Sequence, residues 1–195
     1  MAGINDAEIH QIVQRVLQRT LGLVPRGETA VSSPLPQEAV SSSGGKKVVA
    51  IGADHGGFEL KELLKPELIG MGFEVQDVGT NSREAVDYPD FAHEVAQLVG
   101  MGRAWRGIMI DGAGIGSCIV ANKVPGVRAG MAYDVSSASN SREHNDTNVL
   151  TLGAGLIGPN LAKQILKTWL TTEFGGGRHA PRVEKIMNVE KKYLK

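Results

Sequence analysis

From residue 47 onward, short apolar runs rich in β-branched residues alternate with longer segments of helical periodicity. The apolar runs predict five strands, at 47–53, 72–78, 105–110, 126–132 and 148–152. The other segments predict helices at 58–71, 89–101, 116–123, 136–144 and 159–171, with a last charged helix at 181–194. Strands that alternate with helices predict an α/β fold, a three-layer sandwich around a doubly wound, five-stranded parallel sheet. Ligands of such sheets bind at the carboxyl ends of the strands.

The first 45 residues differ in character from the rest of the chain. Residues 6–21 carry apolar side chains at helical spacing and predict an amphipathic helix; these are Ile9, Ile12, Val13, Val16 and Leu17. Residues 25–45 are rich in Pro, Ser and Gly and lack the large apolar groups needed to fold. We therefore divide the chain into a helix at 1–22, a flexible linker at 23–45 and a folded domain at 46–195. The helix is expected to dock into a partner or to self-associate, and the alternative is that it folds back onto its own domain.

Composition excludes several classes of function. Lys and Arg together number 21, as do Asp and Glu, so no overall field attracts nucleic acid or a membrane surface. No segment has the roughly 18 to 20 apolar residues that would cross a bilayer. The single cysteine, Cys118, forms no disulfide framework, and the histidines lack the spacing of a metal site. We expect a cytoplasmic protein without metal, nucleic acid or membrane partner.

A glycine loop, Asp-Gly-Ala-Gly-Ile-Gly at 111–116, lies between the third predicted strand and the next helix. Glycines let backbone N–H groups approach a ligand, and the helix start adds partial positive charge. The loop is suited to hold a small anion beside the Asp111 carboxylate, and the alternative is a plain strand-to-helix turn.

Other polar residues are expected to converge with this loop at one edge of the sheet. Asp54 and His55 follow the first strand, and His144 with Asn145 precedes the fifth. The segment after the last sheet-packed helix contributes Arg178, His179 and Arg182. Guanidinium groups four residues apart suit a phosphate. The alternatives are a cap and turn at 54–55, a solvated basic turn at 178–182 and a structural His144.

Six stretches of the chain, in order, resemble the ribose-5-phosphate isomerase B and galactose-6-phosphate isomerase family over residues 46–190. They lie at 52–58, 87–89, 112–116, 121–123, 142–149 and 176–179 and read GADHGGF, DYP, GAGIG, ANK, REHNDTNV and GGRH. The resemblance implies an aldose–ketose isomerase of phosphorylated sugars that needs neither metal nor cofactor. It also implies a flavodoxin-like or Rossmann-like sheet and a homodimer or homotetramer with active sites at a subunit interface.

The resemblance assigns binding roles to matching positions. His55, Arg178 and Arg182 would hold the phosphate, with His179 beside them. Asn145 and the loop backbone would stabilise the enediolate oxygens. The loop positions are Gly112, Gly114 and Gly116.

The proton-transfer positions depart from the family pattern. The resemblance gives His144 the opening of the sugar ring, with Asp54 near the ring hydroxyls. Many members use a cysteine at position 111 as the base that moves the proton between C1 and C2, and others use a glutamate at position 117. This chain has Asp111 and Ser117, so we take Asp111 as the base. Cys118, one residue further on, is expected to be an inert thiol.

A second departure concerns the substrate. Ala154-Gly155 stands where many members carry a phosphate-binding arginine, and Ala113 replaces a frequent hydroxyl residue. The predicted reaction is ribose 5-phosphate to ribulose 5-phosphate through a cis-enediolate. The alternatives are another pentose or hexose phosphate, or a sugar-phosphate-binding module without catalysis.

The N-terminal extension, with residues 4–21 as its helix, resembles the encapsulation peptides of bacterial microcompartments. This resemblance implies that shell or cargo proteins bind the helix and that the enzyme lies in a microcompartment lumen.

Overall fold

The computed structural model of the protein describes residues 45–194, in which five strands and six α-helices alternate. The strands are β1 Val48–Ala53, β2 Glu74–Asp77, β3 Arg106–Asp111, β4 Ala129–Met131 and β5 Val149–Gly153. The helices are α1 Phe58–Gly70, α2 Tyr88–Gly100, α3 Ile115–Ala121, α4 Val135–Asn145, α5 Pro159–Thr171 and α6 Ala180–Tyr193, with a 3-10 turn at Gly177–His179. The predicted helix at 1–22 and nearly all of the linker at 23–45 lie outside the described residues, so the proposed division of the chain stays a prediction.

All neighbouring strands of the sheet are parallel, in the order β2-β1-β3-β5-β4. The predicted α/β fold with a five-stranded parallel sheet is confirmed. A flavodoxin-like sheet has the order 2-1-3-4-5, whereas here β5 lies between β3 and β4. The register of β3 with β5 places Asp111 level with Gly153 and Gly107 level with Val149.

Two apolar cores cover the two faces of the sheet, as a three-layer sandwich requires. On one face, α1 buries Leu60, Leu64 and Leu68, which are four residues apart, and α5 buries Ile165 and Trp169. On the other face α2 buries five residues, which are Ala92, Val95, Ala96, Leu98 and Val99. Complete burial of a side chain such as Leu64 stabilises the fold by about 1.5–3 kcal/mol.

The direction of the helices determines which edge of the sheet their ends reach. α4 follows β4 and ends three residues before β5 begins, so its last turn lies at the amino edge of the sheet. The end of α5 lies at the same edge, because the Arg106 guanidinium at the start of β3 donates hydrogen bonds to the carbonyls of Trp169 and Leu170, each at 3.0 Å. Among residues 45–194, no helix is long and apolar enough to cross a membrane.

Candidate active site

The Asp111 side chain is buried, 4% exposed, beneath the glycine loop at the end of β3. Its Oδ1 accepts hydrogen bonds from the backbone N–H of Ala113, at 2.8 Å, and of Gly114. Its Oδ2 accepts from the Ser117 N–H, at 3.1 Å, and from the Ser117 hydroxyl. The carboxylate therefore holds the loop and the first turn of α3 together. The same contacts place positions 111 and 117 side by side.

The glycine loop fits tightly against the end of β5. Gly114 has φ 78°, and a Cβ there would lie 2.9 Å from the Leu152 carbonyl carbon. The backbone of the loop is also held by hydrogen bonds from the N–H of Ala154 to the Asp111 carbonyl, at 2.8 Å, and from the N–H of Gly155 to the Gly112 carbonyl, at 2.9 Å. Ala154 and Gly155 thus lie directly against the loop and bring no cation to it.

Asp54 and His55 lie at the end of β1, beside β3. The Asp54 Oδ1 accepts a hydrogen bond from the Gly57 N–H at 3.0 Å, which closes the turn before α1. Asp54 is not the cap of that helix, whose N-cap is Gly57. The exposed His55 ring places Nδ1 3.1 Å from the Val86 carbonyl oxygen and 3.2 Å from the Val86 nitrogen. Asp54 is itself paired to β3 through its backbone N–H, which donates to the Ile110 carbonyl at 3.2 Å.

Tyr88, the first residue of α2, has no role among the residues predicted from the sequence. A Cβ added to Gly116 would lie 2.5 Å from the Tyr88 ring, so this ring packs directly on the glycine loop. The ring is 37% exposed and lines the same edge as Asp111. The signal was present in the DYP stretch at 87–89, which belongs to the family pattern.

A cationic cluster lies at the end of α4 and in the turn before α6. The imidazole rings of His144 and His179 stack, with centroids 4.1 Å apart and planes 9° apart. Arg178, on the 3-10 turn, and Arg182, in the first turn of α6, are exposed. Burial and then the charges of His144, Arg178 and Arg182 lower the pKa of His179 below its ordinary value. The cluster is suited to an anion that would relieve this repulsion.

His144 and Asn145 are oriented by Asn140, one turn earlier in α4. The Asn140 amide nitrogen lies 2.9 Å from His144 Nδ1, and because an amide N–H donates, a neutral His144 carries its proton on Nε2. The Asn145 amide donates a weak hydrogen bond to the Asn140 carbonyl at 3.4 Å.

The predicted convergence of all these residues at one edge is wrong for a single chain. Asp54, His55 and residues 111–116 lie at the carboxyl edge and are named here the aspartate half-site. His144, Asn145, Arg178, His179 and Arg182 lie at the amino edge and are named the arginine half-site. The two ends of β5, Val149 and Gly153, lie four residue steps or about 13 Å apart along the strand, far beyond the reach of a hydrogen bond. The physical reason is that α4 and α5 run antiparallel to the strands, so their last residues return to the edge where the strands begin.

Two exposed apolar surfaces accompany the half-sites. Beside the glycine loop, α3 exposes Ile115 (54%) and Ile119 (57%). After the arginines, α6 exposes Ile186, Val189 and Tyr193, which recur at helical spacing. No residue of α6 is buried. Apolar surface of this kind beside functional groups marks an interaction site.

The remaining candidates do not add a site. The half-buried Cys118 thiol lies 3.5 Å from the Ala129 carbonyl oxygen, and burial raises its pKa. Within residues 45–194, no group of His, Cys, Asp and Glu side chains could hold a metal ion. Two open grooves, of about 710 Å³ beside α2 and about 490 Å³ between α1 and α5, contain none of the half-site residues.

Comparisons with known proteins identify the family of the chain. The model of the family described as Ribose/Galactose Isomerase matches residues 49–186. A solved structure, Clostridium thermocellum ribose-5-phosphate isomerase B, is 51% identical with a TM-score of 0.74, over 75% of this chain and 99% of that chain. Ribose-5-phosphate isomerase B of Escherichia coli is 46% identical, over 75% of this chain and 98% of the relative. D-erythrulose-4-phosphate isomerase of Pectobacterium atrosepticum is 45% identical, over 71% of this chain and 91% of the relative. The chain belongs to the ribose/galactose isomerase family and is a sugar phosphate isomerase of the aldose–ketose type.

Proposed function

We propose that the chain interconverts ribose 5-phosphate and ribulose 5-phosphate as a homodimer. Each active site combines the aspartate half-site of one copy with the arginine half-site of the other. The observation that carries the proposal is the separation of the two half-sites at opposite edges of the sheet. Each half-site lacks what the other supplies: one has the carboxylate and the backbone N–H groups, and the other has the cations and the imidazole of His144.

The apolar surfaces support this pairing. In a two-fold dimer, a contact from one copy to its partner occurs twice. If α3 of one copy packs against α6 of the other, Ile115 and Ile119 meet Ile186 and Val189, and the same contact brings each arginine half-site to an aspartate half-site. Both active sites are completed by one symmetric interface. A homotetramer built from two such dimers would retain both sites.

The reaction follows from the chemistry of the combined site. Arg178 and Arg182, with His55 of the other copy, hold the phosphate, and His144 transfers the proton that opens the sugar ring. Asp111 removes the proton from C2, and the glycine-loop N–H groups with Asn145 stabilise the cis-enediolate oxygens. The proton of the C2 hydroxyl passes to the oxygen on C1, and Asp111 returns the carbon-bound proton to C1, so the aldose becomes a ketose with no change in overall protonation. No metal or cofactor takes part in these steps.

The hydrogen bonds of Asp111 limit how its carboxylate can accept a proton. Both of its oxygens accept hydrogen bonds, so one donor must give way when the carboxylate takes a proton. The Ser117 hydroxyl is the donor most able to rotate, because the other three are backbone N–H groups. The contact of Ser117 with Asp111 also accounts for the two base positions of the family, since side chains at 111 and 117 reach the same point.

Exchange of the substrate C2 proton with solvent tests the assignment of the base. We expect Asp111→Asn to reduce this exchange by about 10²–10⁴-fold, the usual contribution of general base catalysis, while phosphate affinity is retained. Asp111→Cys, which installs the base used by many family members, should retain turnover. Wild-type exchange in Asp111→Asn would remove Asp111 from the mechanism.

A different sugar phosphate is the second candidate substrate. Ala154 and Gly155 bring no cation to the glycine loop, and the Pectobacterium relative is named for a four-carbon substrate. A panel of tetrose, pentose and hexose phosphates, assayed for isomerisation, identifies the substrate by the largest kcat/KM. A chain that binds these compounds without exchanging a proton in any of them would be a binding module.

A location in a bacterial microcompartment is proposed from sequence alone. Its support is the apolar stripe at 9–17 followed by the Pro, Ser and Gly linker. Residues 1–45 fused to a fluorescent reporter should co-purify with shells through the segment 4–21. A diffuse reporter, indistinguishable from one in which Ile12 and Val16 are replaced by Asp, would contradict the proposal.

A further inference from the structure

Asp146, which directly follows Asn145, has an unusual backbone conformation. Its φ of 47° and ψ of 46° make it the single non-glycine residue with positive φ in the described part of the chain. Glycine or asparagine usually occupies this position at a helix end, and a carboxylate there meets the negative end of the helix dipole. Asp146 is thus locally unfavourable in two respects. Such a residue persists when its surroundings fix it, and it is then a candidate for a functional role.

Two arginines hold Asp146 in place. Its Oδ1 accepts a hydrogen bond from Arg142 Nη1 and its Oδ2 from Arg128 Nη2, each at 2.8 Å. Its backbone carbonyl accepts a third, from Arg128 Nε at 2.8 Å. The Arg142 side chain is 5% exposed, the Arg128 side chain 17% and the Asp146 side chain 29%, so both ion pairs are partly shielded from solvent.

This clamp joins the separate elements that surround the arginine half-site. Arg142 also donates to the carbonyls of Thr147 and Thr172, and therefore links the last turn of α4 to the residue after α5. Arg128 lies before β4 and reaches Met187 of α6, with its Nη1 3.5 Å from the sulfur. The turn that carries His144 and Asn145 is thus tied to Arg128, and through it to α6, by the Asp146 carboxylate, while Arg142 ties it to the end of α5.

We propose that Asp146 is a positioning residue that holds His144 and Asn145 at the distance required for proton transfer and enediolate stabilisation. This inference rests on the proposed function. Asp146 does not itself touch the substrate, because both of its oxygens are occupied by guanidinium groups. Asp146 bonds to Arg142 and Arg128 and not to the phosphate-binding Arg178 or Arg182, so loss of the clamp should affect chemistry more than phosphate affinity.

Steady-state kinetics of four variants of the full chain test the role, with ribose 5-phosphate as substrate. Asp146→Gly keeps the turn conformation and the backbone carbonyl, and it removes both carboxylate ion pairs of the clamp. We expect its kcat to fall by about 10–100-fold with KM unchanged, since a displacement of about 1 Å can cost 100-fold in rate. Asp146→Ala should lose at least as much. Asp146→Asn tolerates the same backbone and keeps one acceptor oxygen but turns its NH2 group toward the other guanidinium, so its kcat should lie between those of Asp146→Gly and the wild type.

Asp134→Ala is the matched control at the other end of the same helix. Asp134 caps α4 by accepting a hydrogen bond from the Ser137 N–H at 2.6 Å. Its loss should lower Tm while kcat and KM stay at wild-type values, which separates helix stability from positioning.

The kinetic results distinguish failure of the positioning role of Asp146 from failure of the proposed isomerase function. Wild-type kcat in Asp146→Gly would overturn the positioning role, and so would equal losses of kcat in Asp146→Gly and Asp134→Ala. A rise in KM alone would also contradict it, because it would assign the clamp to binding. If the wild-type chain isomerises no sugar phosphate, the proposed function fails first and the positioning role falls with it.

Discussion

Mixing two inactive variants should restore activity if each active site is shared between copies. His144→Ala inactivates the arginine half-site, and Asp111→Asn inactivates the aspartate half-site. Each variant alone should retain less than about 1% of wild-type activity, because each lacks a group that transfers a proton. A dimer that contains one copy of each has one site with both substitutions and one site with neither.

The recovered activity follows from counting sites. Equal amounts of the two variants, randomly associated, give about half mixed dimers, and each mixed dimer has one intact site of its two. The mixture should therefore regain about a quarter of wild-type activity. The assay is isomerisation of ribose 5-phosphate after co-expression with two different affinity tags, so that mixed dimers can be isolated and should show about half of wild-type activity.

A second mixture controls for incidental effects of association. His144→Ala and Arg182→Ala both alter the arginine half-site, so every site of their mixed dimer carries one substitution and no activity should return. If the activity of the first mixture is only the sum of the activities of its two variants, the active site is not shared between copies. Recovery in both mixtures would refute the assignment of these residues to half-sites.

Three further predictions concern stability and titration. Gly114→Ala should lower the free energy of unfolding in urea more than Gly102→Ala does. Both positions have positive φ, at 78° and 68°, which costs each variant about 1–2 kcal/mol, but only a Cβ at Gly114 would overlap the backbone of Leu152. Equal losses of stability in the two variants would refute the tight fit of the loop. The pKa of His179 in the folded protein lies below its ordinary value of 6.5, so below pH 6.5 the unfolded chain binds a proton at His179 more readily than the folded chain does. The free energy of unfolding should therefore fall as the pH drops below 6.5. His179→Gln should weaken this pH dependence, as measured by urea unfolding. Because burial raises the pKa of Cys118, the sole cysteine, iodoacetamide should label it far more slowly at pH 7.5 than it labels free cysteine, and rapid labelling would contradict that burial.

The elements of the fold could be predicted from local pattern. The helix predicted at 159–171 begins and ends where α5 does, because Pro159 fits a first helical turn and apolar residues recur at helical spacing up to Trp169. The strand at 105–110 differs from β3 by one residue at each end. The position of β5 between β3 and β4 could not be predicted in this way, since it depends on which strand edges pair and not on the pattern within any strand.

The site was predicted in its residues but not in its arrangement. Asp54, Asp111 and the glycine loop follow strands, so their common edge could be deduced from parallel topology. His144 precedes β5, which should have placed it at the amino edge, and the sequence reasoning overlooked this. The hydrogen bonds of Asp111 with Ser117 could not be foreseen, because they depend on the exact course of the loop between them.

The position of β5 in the sheet affects folding of the chain during its synthesis. β1, β2 and β3 can pair as soon as they leave the ribosome, but β4 pairs with β5 alone and must wait for residues 149–153. Until then the edge of β3 remains open, and unpaired strand edges promote aggregation during synthesis. A nascent chain stalled before residue 149 should therefore depend on chaperones, whereas one released after α5 should not.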